Sequence, residues 1–525
     1  MFDKVMSERS RKKNSIINSA FGLLNNIIHI FFAFYLRKKF VEIFSPEYLG
    51  LYSFFDSIFG MLIALDCGVS SSIFFQIYEP IAKKDRRHIV SIFNLIKIIY
   101  TLRSILVLLI GFIISFYLKS LLKGTDLSFH YIIKCYNIYM IFNSANYFFV
   151  FYSFYLEALQ KRFVTSIIQI VTYVLEVTTK ILSIFIFKSF ILYLICSVIF
   201  ILITNITCMV YVYKKEPYLL KKSKIEQGDL KNIKKLFGMA LHSLSAVISR
   251  YTDTFLISSL TGLVNTGIFT NYKTINTNVT ALLNQITSSI KDPFRNYIIC
   301  ENRNKVEAML NDLNYMIFIL ASVCASCIFC LSNDFIVLWL GDSFLLSQKT
   351  VLFMTLTFEM SFMNYFIIDC YYLTQSYYKD KKSPLIELSV NFIVSLLLGL
   401  KYGILGIMIG TVLYYFVQTI LRTKRLYKYF FNKSCLKILL KQLFFFLISI
   451  GVALLLNFIY RCIFIHITVL NFLLKIIFTV VLSVMLIVLL TMRIPEFIYF
   501  KTMVVKVVLN LPVLRGIKIR RDEIL

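Results

Sequence analysis

Apolar runs long enough to cross a bilayer recur along this chain of 525 residues, separated by short polar stretches. A spanning helix needs roughly 20 residues at about 1.5 Å rise each. Fourteen runs meet that length: 15–36, 50–78, 91–118, 131–158, 164–187, 190–213, 237–260, 265–290, 309–331, 348–374, 384–400, 403–421, 442–460 and 467–491. Very short turns join the seventh to the eighth and the eleventh to the twelfth. The pattern predicts an all-α polytopic membrane protein with about fourteen transmembrane helices.

The punctuation also predicts a repeat. Leu49-Gly50-Leu51-Tyr52-Ser53 opens the second run, and Thr266-Gly267-Ile268-Phe269-Thr270 opens the eighth with the same order of side-chain types. The second run ends at Glu79-Pro80 and the eighth at Asp292-Pro293. An interval of six spans keeps both halves in one orientation, related by a pseudo-two-fold axis along the membrane normal. The expected organisation is a six-helix bundle over 1–213, a basic cytoplasmic linker over 214–236 and a second six-helix bundle over 237–424. Two additional helices follow over 425–491, then a tail over 492–525, read either as a helix on the inner membrane face or as a partly ordered end. All seven prolines lie at or beyond span ends, so rocking of whole bundles is expected rather than kinking at mid-membrane prolines.

Charge orients this array. Of the 56 Lys and Arg residues, 40 fall at the two termini and in every second loop, against 9 in the loops between and 7 within the spans. Lys and Arg in short loops stay on the cytoplasmic side, which places both termini inside. Only Arg37, Lys38 and Lys39 are discordant, as an outer cluster. A 58% hydrophobic composition and a mean hydropathy of +0.75 exclude a soluble nucleic-acid-binding particle. No internal loop has the roughly 50 residues of a small domain, so no separate soluble catalytic domain is expected. The basic start leads into a long run without a small-residue cleavage site and reads as a retained first span.

Cations inside the spans are the candidate chemistry. A charge at the bilayer centre costs about 3 kcal/mol or more, so it should face a cavity or a partner. Arg103, Arg250 and Lys273 sit roughly 12 to 20 Å deep by helical rise, and with Lys180 they are the candidates for binding an anionic substrate. The competing reading pairs Arg250 with Asp253 and Lys180 with Glu176 along their own helices. Asp66, Asp253 and Glu359 are candidates for coupling to a proton or sodium gradient, or else salt-bridge partners. Cys324, Cys327 and Cys330 read as helix-packing residues. No catalytic group, metal site or cofactor is expected.

Several blocks resemble a known family. Ser45-Pro46-Glu47-Tyr48-Leu49-Gly50-Leu51, Asp66-Cys67-Gly68-Val69-Ser70-Ser71-Ser72 leading to Tyr78-Glu79-Pro80, Thr252-Asp253, Gly267-Ile268-Phe269-Thr270-Asn271-Tyr272 and Phe335-Ile336-Val337-Leu338-Trp339-Leu340-Gly341 look like the recurring blocks of Wzx-type polysaccharide or O-antigen flippases. These belong to the multidrug, oligosaccharidyl-lipid and polysaccharide exporter superfamily. The resemblance implies two six-helix bundles and alternating access in the bacterial cytoplasmic membrane. It also implies transfer of an undecaprenyl-diphosphate-linked glycan to the outer leaflet for capsule or O-antigen synthesis. Membrane lipids, a polysaccharide polymerase and chain-length machinery are the implied partners, with no nucleic acid. A multidrug-type cation antiporter on the same fold, and an embedded polysaccharide polymerase, are the alternatives.

The orientation has a direct test. A periplasm-dependent reporter fused after Lys123 should be active, and a cytoplasm-dependent reporter at the same point silent; the opposite result overturns the topology.

Overall fold

In the computed structural model, residues 8–63, 69–220, 227–380, 382–463 and 466–509 are described. Within them the chain is helical, with no strand. The helices are α1 (Glu8–Ile43), α2 (Pro46–Ile63), α3 (Val69–Lys83), α4 (Arg86–Leu121), α5 (Phe129–Asn146), α6 (Phe151–Ala158), α7 (Arg162–Phe185), α8 (Phe190–Lys215) and α9 (Gln227–Thr261). They continue as α10 (Leu263–Cys300), α11 (Arg303–Leu340), α12 (Gln348–Met363), α13 (Tyr365–Leu373), α14 (Ser383–Tyr402), α15 (Ile404–Leu426), α16 (Leu436–Ile463), α17 (Val469–Thr491) and α18 (Pro495–Leu509). The apolar runs fall largely on helix where they are described, with interruptions inside 131–158 and 348–374. Nine helical stretches among the described residues are long and apolar enough to cross a membrane. The protein is an all-α polytopic membrane protein.

Packing divides the chain into two compact units, Met1–Thr270 and Asn271–Leu525. In the first, α9 lies along α2 and α3, while α1 packs on α7 and α7 on α8. The glycines of the two similar sequence blocks meet here. A Cβ on Gly50 would overlap the Leu263 carbonyl oxygen, and one on Gly267 would overlap that of Pro46. The contact is reciprocal: each glycine faces the carbonyl four residues before its counterpart. Backbone therefore touches backbone at the starts of α2 and α10, and only glycine permits it. Beside this crossing Glu47 is buried and accepts hydrogen bonds from Thr125 Oγ1 at 2.6 Å and the Asp126 N–H at 3.0 Å, fastening the loop after α4. Gly262 makes the α9–α10 turn at φ +92°.

The fourth predicted span is broken. Its helix stops at Asn146, a turn follows, and α6 starts at Phe151. Neighbours satisfy the freed groups, as a break in a spanning segment requires. Ser104 Oγ of α4 donates to the Ser144 carbonyl at 2.7 Å, and the Asn205 amide of α8 donates to Asn146 Oδ1.

The second unit shows the same device in its tenth predicted span, where Asn364 separates α12 from α13. The Asn364 amide donates to the Met360 carbonyl at 3.1 Å and to Thr419 Oγ1 of α15. Around this break α11 packs against α12, α16, α17 and α18. Helices α14 and α15 form a tight hairpin through Gly403, at φ +59°, with Gly406 and Gly410 against the α14 backbone. Arg422 of α15 makes a bidentate pair with Glu387 of α14 at 2.7 and 3.0 Å, both fully buried. Lys475 of α17 binds Asp334 of α11 at 2.6 Å. The start of the tail is helical: α18 packs on α11, and Glu496 pairs with Lys441.

Two of the prolines beyond the apolar runs still lie within helices. Pro80 lies inside α3 and Pro293 inside α10, because both helices continue past the apolar runs, to Lys83 and Cys300. The end of hydrophobicity is therefore not the end of the helix. Proline in a helix interior removes one backbone hydrogen bond and loosens the turn before it.

Filling the glycine crossing should be costly. Gly267→Val in the purified protein should lower thermal stability, since overpacking costs typically 1–3 kcal/mol, roughly. Gly451→Ala, where an added Cβ meets open space, should leave the melting temperature unchanged or slightly raised; equal behaviour of the two variants would refute the close contact.

Candidate functional site

Helices α2, α9 and α10 are not among the stretches apolar enough to span by composition, although α9 and α10 run for 35 and 38 residues. Their polarity comes from Tyr52 and Asp56 on α2, His242, Arg250 and Asp253 on α9, and Asn271, Lys273 and a succession of Thr and Asn residues on α10. Hydrocarbon does not tolerate such faces, so polar helices in a spanning bundle face one another or an aqueous interior. The starts of α2 and α10 meet at the glycine crossing, and α9 lies along α2. Together α2, α9 and the first turns of α10, up to Thr270, form the polar wall of the first unit.

Arg37 joins α1 to this wall. Its Nη2 donates to Thr270 Oγ1 at 2.7 Å, and Tyr52 and Tyr193 lie within electrostatic reach of its guanidinium. It is half-buried within α1, which runs on to Ile43. Arg37 is thus a helix residue bound to a neighbouring helix and not the outer-loop residue expected; Lys38 is exposed, and Lys39 pairs with Glu42 at 2.8 Å.

Aromatic and acidic groups continue the wall. The Tyr52 ring meets those of Tyr139 and Tyr193 at centroid distances of 5.8 and 6.2 Å, near right angles. The Tyr139 hydroxyl donates to Asp56 Oδ1 at 3.2 Å. Lys180 is buried, 2.5 Å from Glu176 and 4.8 Å above the Tyr193 ring. One turn back, Tyr173 stacks on His29 of α1 at 3.7 Å.

Each sequence candidate has a definite place. Arg103 is half-buried on α4; its Nη2 donates to the Ile63 carbonyl at 3.1 Å and reaches the Tyr147 hydroxyl at 3.5 Å, with the guanidinium 4.3 Å from the Tyr147 ring. Ile63 ends α2 and Tyr147 follows the break after α5. Arg103 therefore ties α4 to the α2 backbone at Ile63 and braces the broken span at Tyr147. Lys180 makes the ion pair with Glu176. Arg250 is exposed and Asp253 half-buried on α9, and Lys273 is half-buried on α10 in the second unit; all three engage neighbouring groups. Asp66 lies outside the described residues. Glu359 is buried in the second unit, its Oε1 without a hydrogen-bond partner, beside the Ser449 hydroxyl of α16. A largely apolar cavity of about 200 Å³ lies one turn away, lined by Met363, Asn364, Thr419 and Gln442 among others.

Residues 12–290 match the family described as Polysaccharide biosynthesis protein. The chain belongs to that family. Its fold is that of solved transporters: it is similar to the lipid II flippase MurJ in an inward closed conformation, with 16% identity and a TM-score of 0.65 over 91% of this chain and 99% of that one. It is also similar to an inward-facing multidrug resistance MATE family transporter of the MOP superfamily, with 15% identity and a TM-score of 0.57 over 76% and 94% of the two chains. A third likeness is to a point mutant of the Vibrio cholerae MATE transporter VcmN, at 12% identity and a TM-score of 0.56 over 81% and 98%. At such identities the likeness is one of fold. No curated protein matches the sequence.

For this family member the polar wall of the first unit is the candidate site. Arg37, Asp56 and Glu176 belong to it, although sequence reasoning gave none of them a binding role. A usable signal existed for Asp56: Tyr52 and Asp56 are one turn apart in an otherwise apolar run, so they share a face.

Proposed function

We propose that this protein is a flippase that moves undecaprenyl-diphosphate-linked oligosaccharide repeat units from the inner to the outer leaflet of the bacterial cytoplasmic membrane by alternating access, for capsule or O-antigen synthesis. Both termini lie in the cytoplasm on this reading. The two six-span repeats, over 1–213 and 237–424, carry the movement. The observation that supports it is a cationic and hydroxyl-rich set of helices in a member of a polysaccharide biosynthesis family.

A lipid-linked diphosphate brings at least two negative charges through the membrane. Guanidinium offers it a planar fork of donors and ammonium a compact charge. Arg250, exposed on α9, and Lys273, half-buried on α10, are the residues assigned to the diphosphate, with Arg37 added to them. Arg103 and Lys180 act as positioning residues, one bracing the break in the fourth span and the other held by Glu176. A multidrug-type cation exporter needs a wall dominated by carboxylates, and these cations argue against it. Glu359 is assigned to coupling with a proton or sodium gradient, because a carboxylate in low dielectric changes protonation readily. Delivery to a polymerase and its chain-length machinery would follow on the outer face.

Loss of the gene should cause lipid-diphosphate-linked repeat units to accumulate on the inner leaflet, measured by labelling intact and opened vesicles; no accumulation sinks the proposal. Arg250→Gln should abolish surface polymer while membrane insertion stays intact, and normal polymer output would remove Arg250 from the site. Glu359→Gln should uncouple transport in vesicles from an imposed proton or sodium gradient; an unchanged gradient dependence would end its coupling role.

A further inference from the structure

A carboxylate facing an apolar medium is unfavourable, yet Asp56 is exposed while its helix neighbours Phe54, Phe55, Ser57 and Ile58 are buried. The space Asp56 looks into must therefore be polar. Tyr52, one turn earlier on α2, opens on the same side and is half-buried. Tyr193 of α8 is half-buried as well, its ring near a right angle to that of Tyr52, and Tyr139 of α5 fixes Asp56 through its hydroxyl. Lys180 over the Tyr193 ring and its partner Glu176 hold that side of the wall. Three helices thus bring together ring faces of different orientation and an exposed carboxylate.

That combination suits a sugar. A pyranose offers a C–H face that packs on an aromatic ring and a rim of hydroxyls that donate to carboxylate oxygens. It does not suit a diphosphate, which Asp56 would repel. We propose that Tyr52 and Asp56, supported by Tyr139 and Tyr193, form the surface of the first unit that recognises the sugar rings of the passenger. The assignment rests on the lipid-linked glycan reading above. It separates the labour within the first unit: cations on α1 and α9 take the diphosphate, and the face of α2 reads the glycan. Hydroxyl-rich rings are favoured there, and a bare polyprenyl diphosphate gains nothing from it.

The test uses full-length protein in lipid nanodiscs and two probes: undecaprenyl diphosphate, and the same lipid bearing an N-acetylhexosamine–hexose disaccharide. The protein should bind the glycosylated lipid about tenfold more tightly, the worth of one hydrogen bond to a charged group. Asp56→Asn and Tyr52→Leu should each erase most of that preference while leaving affinity for the bare lipid within about twofold. Tyr52→Phe, which keeps the ring, should retain most of it. Equal binding of the two lipids by the unaltered protein overturns the sugar surface alone. Parallel loss of both lipids in the Asp56 and Tyr52 variants overturns it too, as does a preference that survives in them. Failure of the unaltered protein to bind either lipid overturns this assignment and the flippase reading together.

Discussion

Hydrocarbon donates and accepts no hydrogen bonds, so every charge and every interrupted turn within the membrane must find its partner inside the protein. The second unit is organised around that demand. Arg422 and Glu387 are buried together in a bidentate pair, and the Gln418 amide donates to the same carboxylate at 3.1 Å while the Tyr372 hydroxyl accepts from Arg422 at 3.0 Å. Removing one member would leave a buried charge uncompensated, whereas the intact set joins α13, α14 and α15. Lys475 with Asp334 ties α17 to α11 by the same logic. Asp369 of α13 accepts from Lys291 at 2.6 Å and Arg295 at 3.3 Å, both on α10. These pairs are the fixed points between which apolar surfaces can pack with less specificity.

The same demand explains how two spans are broken without proline. In the fourth and tenth spans the helix stops at an asparagine, Asn146 and Asn364, and that side chain bonds to the span two further on, through Asn205 and Thr419. The positions correspond in the two halves, as do Gly50 and Gly267 and the proline pairs. Asparagine suits this place because its side chain carries both a donor and an acceptor: Asn364 donates to the Met360 carbonyl and Asn146 accepts from Asn205. Rigid rocking need not be the sole source of movement. Two matched interruptions, each held by a few polar bonds, give each unit a point at which a spanning helix is broken.

Hydropathy made most of the helices legible, because a long apolar run is what a bilayer-crossing helix needs, although α9 and α10 are too polar to meet that measure by composition. The two shortest turns were legible too, and Gly262 and Gly403 supply the positive φ that they need. The breaks were not: 131–158 and 348–374 are continuous apolar runs, and what interrupts them is a contact with residues some 60 positions away. Arg37 was misplaced for a related reason. Hydrophobicity falls off before the helix ends, so a cation in the last turns looks like a loop residue. Pro80 and Pro293 also lie beyond that fall-off and still within helices. Lys180 with Glu176 was readable as an i,i+4 pair, while the work of Arg103 depended on the Ile63 carbonyl and Tyr147, which no local pattern reveals.

Polarity therefore carries two different meanings in this chain. In α11, α14, α15 and α17 the charges of Asp334 with Lys475 and of Glu387 with Arg422 are matched one against another, and the surrounding helix is strongly apolar; these pairs hold the fold. On α2, α9 and α10 the polar residues are too many for that, and Asp56 and Arg250 remain exposed. Both charges engage neighbouring groups, Asp56 accepting from the Tyr139 hydroxyl, and each still keeps open surface, which only polar surroundings favour. On the proposed function, a passenger with a charged head and hydroxyl-bearing rings meets both kinds of group, cations on one set of helices and a carboxylate among tyrosines on another.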